Sequence, residues 1–460
     1  FGSITVVPLG YEHPNTTTKD RSLTYFWRVK SSGFDLGSAT VNHAYTYFQN
    51  DVVTSGDVSE NEYVAAMYDD ASYSWTKYAT ADVDDATNEI GGAGTALASL
   101  NTIDGEFTAG DDTPDDPFGT PVVYYSRQTG NWADGNTWST TGHNGTAAGT
   151  WPGATDIVVI GGQDSVYLAT DLTTPNIGAQ NAATLKIEQG SALDIGYNPG
   201  CNFASVLSHE NGNGNFRLTC DRGPLNPNTV RTFEFPSGDF SDFNTNLGTT
   251  ELYTTNPEAG TTFYLPNGVD SYGNLIISPE GGSNIIFPNN DLLIYGNLEM
   301  RGTDPRSWFL PTWNEDYPTA PTTRVAKTIT ILGDVDLLGG SLVWYGGGDG
   351  GSQDIIVQGD ITVYDLGGIE VAEGNTSQSL SIGGDLINNT TGINYGQPWN
   401  PSYSHCDFRN LPITFFGDNT AYVTNTSGTP VTYFEDVTVD KGSSQSDSLV
   451  VDIEGTLNTP

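Results

Sequence analysis

Apolar and polar residues alternate over short stretches along the whole chain, and glycine, asparagine and aspartate separate the stretches. Clear examples in the first quarter are residues 23–30, 44–48, 63–68 and 72–78. A period of two places successive side chains on opposite faces of a strand. No helical apolar period extends beyond two turns. The pattern therefore predicts an all-β protein.

The pattern divides the chain into two units. Residues 1–110, with turn residues between their strands, predict an antiparallel, Ig-like β-sandwich. Residues 111–121 contain three prolines and four aspartates without apolar alternation, which predicts an acidic, proline-rich linker. Residues 122–460 consist of short apolar segments between Gly, Asn and Asp and form the second unit.

An internal repeat, apolar-x-apolar-x-Gly-Asn/Asp-apolar, occurs in the second unit at 292–298, 329–335, 355–361 and 380–386. The repeats follow one another at about 25 residues, with one longer interval of about 37, and such spacing is typical of a solenoid. We predict a right-handed parallel β-helix with inserted loops, 302–318 being one of them. Each glycine is expected at a corner that requires positive φ, and each Asn or Asp is expected to form a hydrogen-bonded ladder from coil to coil.

The two chain ends predict a fragment of a longer protein. The sequence opens on Phe1 without a methionine, and it stops within the repeat pattern at Pro460. We therefore expect a mature or internal segment whose β-helix continues beyond residue 460.

The charge balance narrows the possible partners. The chain has 56 Asp and Glu against 16 Lys and Arg, a net charge of −40. Nucleic acid would be repelled by such a surface. No run of about 18 apolar residues occurs, so we expect no membrane insertion. High salt or a divalent cation would compensate the charge.

The start of the second unit resembles a known family. It reads YYSRQTGNW at 124–132, NTWS at 136–139 and WPGATDIVVIGGQDSV at 151–166. This is similar to the large surface proteins that Bacteroidetes export by the type IX secretion system, which include adhesins, gliding-associated proteins and envelope fibres. YFWRVK at 25–30 and GEFTAG at 105–110 resemble the sandwich module that precedes the solenoid in that family.

The resemblance covers nearly the whole chain and implies a location outside the cell or on its outer surface. It implies a structural or adhesive role, as a stalk or fibre segment that acts by binding and assembly. The implied partners are other copies of the chain or neighbouring surface modules, with glycans as a further class, and filament formation is a related expectation. The sorting domain with which the family ends is not in this sequence.

Two acidic runs are candidate calcium sites, because Ca²⁺ takes six to eight oxygen ligands from carboxylates and carbonyls. The alternative is a solvated run of charges. The candidate ligands are Asp82, Asp84 and Asp85 in the first run and Asp111, Asp112 and Asp115 in the second.

Aromatic residues recur after the corner glycines at similar offsets, and in a solenoid equal offsets place side chains on one face. Such a row would suit glycans or another protein. The alternative is that the rings fold back and are buried on their own coils. The contact candidates are Trp308, Trp313, Tyr317, Trp344, Tyr345, Tyr395 and Trp399.

Two covalent features are also predicted. Cys201 and Cys220 are candidates for a disulfide, the alternative being buried free thiols. Ser165 and Ser448 lie in Asp-Ser-aliphatic triplets that resemble the O-glycosylation acceptor of Bacteroidetes, the alternative being a turn at a strand edge.

Catalysis is the minor alternative, in the form of a carbohydrate-binding or polysaccharide-degrading β-helix protein. A lyase would need an Arg or Lys facing an acidic cluster on one solenoid sheet, and basic residues are sparse from residue 272 onwards. The five histidines accompany no recognisable Ser-Asp constellation. We expect a non-enzymatic protein. A viral fibre, which would be a trimer, is a third possibility.

Overall fold

The computed structural model describes residues 2–54, 56–168, 182–198, 200–208, 214–220, 230–255, 261–303, 307–310, 323–324, 326–344, 349–350, 352–371, 378–390, 405–425, 431–442 and 447–453. Strands dominate these residues and helix is almost absent, which confirms the all-β prediction. Among them, no helix is both long enough and apolar enough to cross a membrane.

The N-terminal unit contains two antiparallel sheets. Its strands are β1 (Ser3–Leu9), β2 (Phe26–Ser32), β3 (Ala44–Thr46), β4 (Tyr63–Asp69), β5 (Ser74–Lys77), β6 (Val83–Asp84), β7 (Glu89–Gly91) and β8 (Gly105–Asp111). The first sheet has the order β1-β2-β8-β4-β5 and the second the order β3-β7-β6. Trp27, Phe107 and Ile90 belong to one apolar core that contacts both sheets.

The segment predicted as a linker begins inside this unit. The strand β8 extends to Asp111, which is buried. Phe118 packs against Val64 and Ala66 of β4. The division of the chain at residues 110 and 121 stays a prediction.

The remaining residues form a stack of short parallel strands. The first part contains β9 (Val123–Ser126), β10 (Gly130–Asn131), β11 (Trp138–Ser139), β12 (Ile157–Ile160), β13 (Ser165–Tyr167), β14 (Ala182–Ile187), β15 (Ala192–Asp194), β16 (Asn202–Ser208), β17 (Asn215–Thr219), β18 (Val230–Thr232), β19 (Ser237–Asp239), the helix α1 (Ser241–Thr245), β20 (Thr249–Tyr253), β21 (Thr262–Tyr264), β22 (Ser271–Tyr272), β23 (Asn274–Ser278) and β24 (Asn284–Ile286).

The second part continues to the last described strand. It contains β25 (Leu292–Ile294), β26 (Leu298–Arg301), β27 (Trp308–Leu310), β28 (Thr323–Arg324), β29 (Lys327–Ile331), β30 (Val335–Trp344), β31 (Asp349–Gly350), β32 (Gln353–Val357), β33 (Ile361–Val371), β34 (Gln378–Ile382), β35 (Leu386–Asn388), β36 (His405–Gly417), β37 (Ala421–Asn425), β38 (Val431–Lys441) and β39 (Leu449–Ile453).

The strand pairings arrange the stack as three walls. Wall 1 contains β9, β12, β14, β16 and β19, then α1, then β22, β25, β29, β32, β34 and the second halves of β36 and β38. Wall 2 contains β10, β13, β15, β17, β20, β23, β26, the first halves of β30 and β33, then β35, β37 and β39. Wall 3 contains β18, β21, β24, β27, the second halves of β30 and β33, and the first halves of β36 and β38.

Side chains of equivalent position form columns inside the walls. In wall 1, Ile331 pairs with Val357, Val357 with Ile382, and Ile382 with Phe415, and none of the four is more than 1% exposed. Each coil buries the inward residues of its neighbour, so the core is a continuous apolar column. This parallel arrangement fits the predicted β-helix.

Candidate functional site

A ladder of hydrogen bonds runs along the corner between walls 1 and 2. The side-chain Oδ1 of Asn274 accepts the backbone N–H of Asn297 at 2.9 Å, and Asn297 accepts the N–H of Asp334 at the same distance. Asp334 accepts the N–H of Asp360 at 2.8 Å, and Asp360 that of Asp385 at 2.7 Å. The predicted ladder is therefore present, although each side chain bonds to the backbone of the next coil and not to its side chain.

The corner glycines are required by close packing. Gly333, Gly359 and Gly384 each donate their N–H to the carbonyl of the corner glycine one coil earlier, at 3.0–3.1 Å. A Cβ at any of these positions would lie under 3.0 Å from the Oδ1 of the preceding ladder residue. None of the three has φ in the left-handed region. The prediction of positive φ was wrong, and the reason for glycine is the approach of one coil to the next.

Asp360 acts in the ladder through one side-chain oxygen, which an asparagine also has. We expect Asp360→Asn to keep the free energy of unfolding within about 0.5 kcal/mol, because an amide oxygen fills the same role at Asn297. Asp360→Ala is expected to cost about 1 kcal/mol, since it leaves the Asp385 N–H without its acceptor. Urea denaturation of the two variants measures the difference, and equal losses would contradict this role.

The two glycosylation candidates occupy different columns of this corner. Register links place Ser165, Ala192, Asn215, Thr249 and Asn274 in one column, so Ser165 lies in the Asn/Asp column. Leu386 pairs with Val423 and Ala421 with Leu449, so Ala421 and Leu449 lie in the glycine column, and Ser448 lies one position before it. Both serines are partly exposed, and their modification stays a prediction.

The aromatic row is not formed as the offsets predicted. Trp344, at the end of β30, is fully buried in the solenoid core and pairs with Val371. Trp308 pairs with Ser341, not with Trp344, because the segments between the corner and wall 3 differ in length from coil to coil. Trp344 was therefore wrongly assigned to an exposed face. The candidates Trp313, Tyr317, Tyr345, Tyr395 and Trp399 lie outside the described residues.

The cysteines are buried thiols. Cys201 immediately precedes β16 of wall 1, whereas Cys220 immediately follows β17 of wall 2. Both side chains pack into the core. Burial raises the pKa of the Cys201 thiol to about 12. The predicted disulfide between them is not formed, because each cysteine packs from a different wall.

The carboxylates of the first acidic run are held by backbone groups. Both side-chain oxygens of Asp82 accept the N–H of Ala96. Asp84 accepts the N–H groups of Ala86 and Thr87, and Asp85 is exposed.

In the second run, Asp111 accepts the N–H groups of Ser59 and Thr113, and Asp112 pairs with Lys77 at 3.0 Å. Asp115 is exposed. Within the described part of the chain, no three His, Cys, Asp or Glu side chains are grouped as metal ligands. Calcium at either run stays a prediction.

A buried ionic network joins the N-terminal unit to wall 1. Glu106 on β8 contacts Arg28 of β2 and accepts a 2.5 Å hydrogen bond from His13 Nε2. All three side chains are at most 5% exposed. His13 Nδ1 accepts the N–H of Asn15, so the imidazole is neutral with its proton on Nε2. Burial opposes ionisation of Glu106, but Arg28 and His13 lower its pKa to about 2.

The same network reaches the solenoid. Arg28 lies 3.8 Å from Asp239 and donates to the Ser205 hydroxyl at 3.4 Å. Lys30 pairs with Asp242 of α1 at 2.6 Å. The N-terminal unit also makes an apolar contact with wall 1, in which Tyr68 packs on Ile157 and Val159. The junction therefore combines an apolar contact with paired charges, which fixes the two units against each other.

Asp70 gives the junction a pH dependence. Burial, the nearby Glu106 and Asp242 raise its pKa, whereas Lys30 and Arg28 lower it. Together these effects raise the pKa of Asp70 to about 7. A carboxyl with a raised folded pKa contributes stability below its unfolded pKa and loses that contribution as pH rises through about 7. We expect the free energy of unfolding of Asp70→Asn to change less between pH 5 and 8 than that of the unaltered protein. Parallel curves of unfolding free energy against pH for the variant and the unaltered protein would contradict this.

Wall 2 carries a cluster in which a basic side chain faces acids. Arg217 donates to Glu251 at 2.7 Å and pairs with Asp194 at 3.3 Å, and its guanidinium lies 4.9 Å from the Tyr253 ring centroid. The Tyr253 hydroxyl donates to Asp194 at 2.9 Å. No local sequence pattern reveals this cluster, because Arg217 is 23 residues from Asp194 and 34 residues from Glu251. Its one positive charge pairs with two carboxylates across three successive coils, which links these coils to one another.

The junction network was also missed, although β2 contains a signal for it. Arg28 interrupts the apolar run FWRV, and a charged residue within such a strand indicates a covered, paired position. Its partner Glu106 is distant in sequence, so no local pattern connects the two.

In comparisons with known proteins, no family model, no curated protein and no solved structure matches this chain.

Proposed function

We propose that the chain is a stalk segment of an extracellular structural or adhesive protein, exported by Bacteroidetes through type IX secretion. In this proposal an Ig-like sandwich precedes a right-handed β-helix, and the segment acts by binding and assembly. The observation that supports it most is the unbroken register of wall 2 from β10 to β39. At ~4.8 Å per strand, such a wall extends ~50 Å. A rod held by repeated identical contacts is suited to spacing and load bearing.

The two ends of the rod differ in a way that supports assembly. At the N-terminal end, β11 turns back antiparallel to β9, and Trp132 and Trp138 are fully buried. The Trp138 Nε1 donates to the carbonyl of Trp132 at 2.7 Å. Packed aromatic rings and an antiparallel strand close this end of the column.

The last described coil leaves inward positions exposed. Val437 and Val439 of β38 are 39% and 53% exposed, whereas their partners Ile413 and Phe415 in the preceding coil are at most 1% exposed. Val451 of β39 is likewise 43% exposed. These side chains occupy core columns, and an additional coil would bury them. The proposal assigns this edge to contact with another copy or a neighbouring module.

Association at the coil edge is the test of the proposal. At high salt, which screens the net charge, sedimentation and negative-stain microscopy are expected to show rods joined end to end at high concentration. Val439→Glu is expected to abolish the association, while Leu338→Glu, a change at an exposed position along the body of the rod, leaves it intact. Uniform short monomers of the unaltered protein at high concentration would contradict the proposal.

A further inference from the structure

Wall 1 contains a depression where the N-terminal unit ends. It has a volume of about 650 Å³ and lies between the segments 232–244 and 266–271. The regular strand stacking is interrupted at this point, because α1 packs between β16 and β22. One lining residue, Asp239, accepts a hydrogen bond from Tyr11 of the N-terminal unit at 2.7 Å. The depression is thus at a boundary between units, a common location of ligand sites.

A second depression of about 460 Å³ continues along wall 1. The two share Asp270 and Ser271, and the second extends across β25 to Thr328 and Thr330 of β29. We call the pair the wall 1 groove. Its strands are successive coils at ~4.8 Å spacing, so the groove is elongated along the rod. Its length suits a short oligosaccharide better than a single sugar.

The lining combines apolar surfaces with hydrogen-bonding groups. Phe235, Pro236, Pro266 and Val269 line the first depression, and Tyr295 lines the second. Phe235 is only partly buried, and its ring packs 4.8 Å from that of Phe240, which fixes its position. A sugar ring has an apolar face of C–H groups, and a fixed aromatic ring presents a matching surface.

Four carboxylates are distributed along the groove, and each has an anchor. Glu234 accepts the Tyr197 hydroxyl at 3.3 Å. Asp239 Oδ1 accepts the N–H of Ser241 at 2.9 Å, and Asp291 Oδ1 accepts the N–H of Thr328 at 2.7 Å. Asp270 Oδ1 accepts the Ser271 hydroxyl at 3.2 Å. A carboxylate has two oxygens and about four acceptor sites, so Asp270 and Asp291 retain capacity for the hydroxyl donors of a sugar. Asp239, which also accepts the Tyr11 hydroxyl and lies 3.8 Å from Arg28, retains less.

The charge of the groove restricts the ligand. Neither depression has a Lys or Arg among its lining residues. A glycan carrying uronate or sulfate groups would place its charge beside aspartates on a protein of net charge −40. An uncharged glycan meets carboxylates, side-chain amides, hydroxyls and apolar rings there, with which it can form hydrogen bonds or stack.

We propose that the wall 1 groove binds an uncharged oligosaccharide. In the first depression, one sugar ring of the oligosaccharide stacks near Phe235, and the hydroxyls of that sugar donate to Asp270 and Asp239. Thr328 and Thr330 extend the same contacts to the next sugars. Binding at this groove is independent of contacts at the coil edge, so either can fail without the other.

The test is an array of neutral, uronate-containing and sulfated oligosaccharides, with an oligolysine peptide as a further probe, followed by calorimetry on the best ligand. We expect binding to neutral oligosaccharides alone. Asp270→Asn and Phe235→Ala are each expected to weaken it at least tenfold. Asp418→Asn, an exposed acid near the last coil, serves as the matched control and is expected to bind normally.

Three results would overturn the assignment. One is an array on which no neutral oligosaccharide binds. Another is binding confined to anionic glycans or to oligolysine, the latter indicating a basic protein partner. The third is neutral-glycan binding that survives both Asp270→Asn and Phe235→Ala, since the site would then lie elsewhere. Asp270 is exposed, so its variant is expected to fold even if Phe235→Ala does not.

Discussion

Replacement of Glu106 by alanine is expected to lower the free energy of unfolding by about 3–5 kcal/mol. The change removes the carboxylate that pairs with Arg28 and accepts the hydrogen bond of His13. Both partners are at most 5% exposed, so water cannot replace the lost acceptor. Of its two ion pairs among the described residues, Arg28 would keep only the longer one, to Asp239 at 3.8 Å. Chemical denaturation monitored by tryptophan fluorescence measures the loss.

The matched control is an ion pair on the surface of the same unit. Lys77 pairs with Asp112 and Asp116 at 3.0 and 2.8 Å, but its side chain is 37% exposed. Lys77→Ala is therefore expected to cost at most about 1 kcal/mol. A loss for Glu106→Ala no larger than that of Lys77→Ala would show that the junction network does not hold the two units together.

The second large effect is expected at a corner glycine. Gly359→Ala is predicted to cost about 3 kcal/mol, at the upper end of the usual range for overpacking. The new Cβ would lie under 3.0 Å from Asp334 Oδ1 and from the carbonyl oxygen of Gly333. These two atoms accept the N–H groups of Asp360 and Gly359, so relief of the clash disrupts both hydrogen bonds to the preceding coil.

Gly10→Ala separates this effect from the general consequence of removing a glycine. No atom lies within 4 Å of a Cβ built at Gly10, and its φ is outside the left-handed region. Gly10→Ala is expected to leave the free energy of unfolding unchanged or to raise it slightly, because alanine restricts the unfolded chain more than glycine does. Equal denaturation midpoints for the two variants would remove close packing as the reason for the corner glycines.

The repeat could be predicted because it is local. Seven residues of the pattern give the strand period, the corner and the ladder residue, and the structure places them as expected in β25, β29, β32 and β34. The reason for glycine could not be obtained in this way. A sequence shows that a side chain is excluded at Gly359, but not that the cause is Asp334 Oδ1 of the preceding coil.

The aromatic row failed for a different physical reason. Offsets counted from a corner assume that every coil turns after the same number of residues. The insertion before β27 and the bend within β30 break that assumption, so Trp308 is paired with Ser341 in the strand register and Trp344 enters the core. Corner positions are fixed by the ladder, whereas positions beyond a variable loop are not.

The junction and the wall 1 groove depend on contacts between distant segments. Arg28, Glu106 and Asp239 come from three parts of the chain, and only the docking of β2 and β8 on wall 1 brings them together. From the sequence, charged residues were predicted to lie on the surface or to bind calcium. In the structure, some of them are buried and paired with residues of opposite charge.

If the coils stack in parallel and in register, a disulfide can link paired residues of neighbouring coils. Thr330 and Ile356 are paired, outward-facing residues of β29 and β32, so their Cα atoms lie within the range that a disulfide spans. Under mild oxidation, the double variant Thr330→Cys/Ile356→Cys is expected to form that link. Thr330→Cys/Ser381→Cys, whose positions are two coils apart, is expected not to. No link in the first variant, or equal linking in both, would contradict the stack.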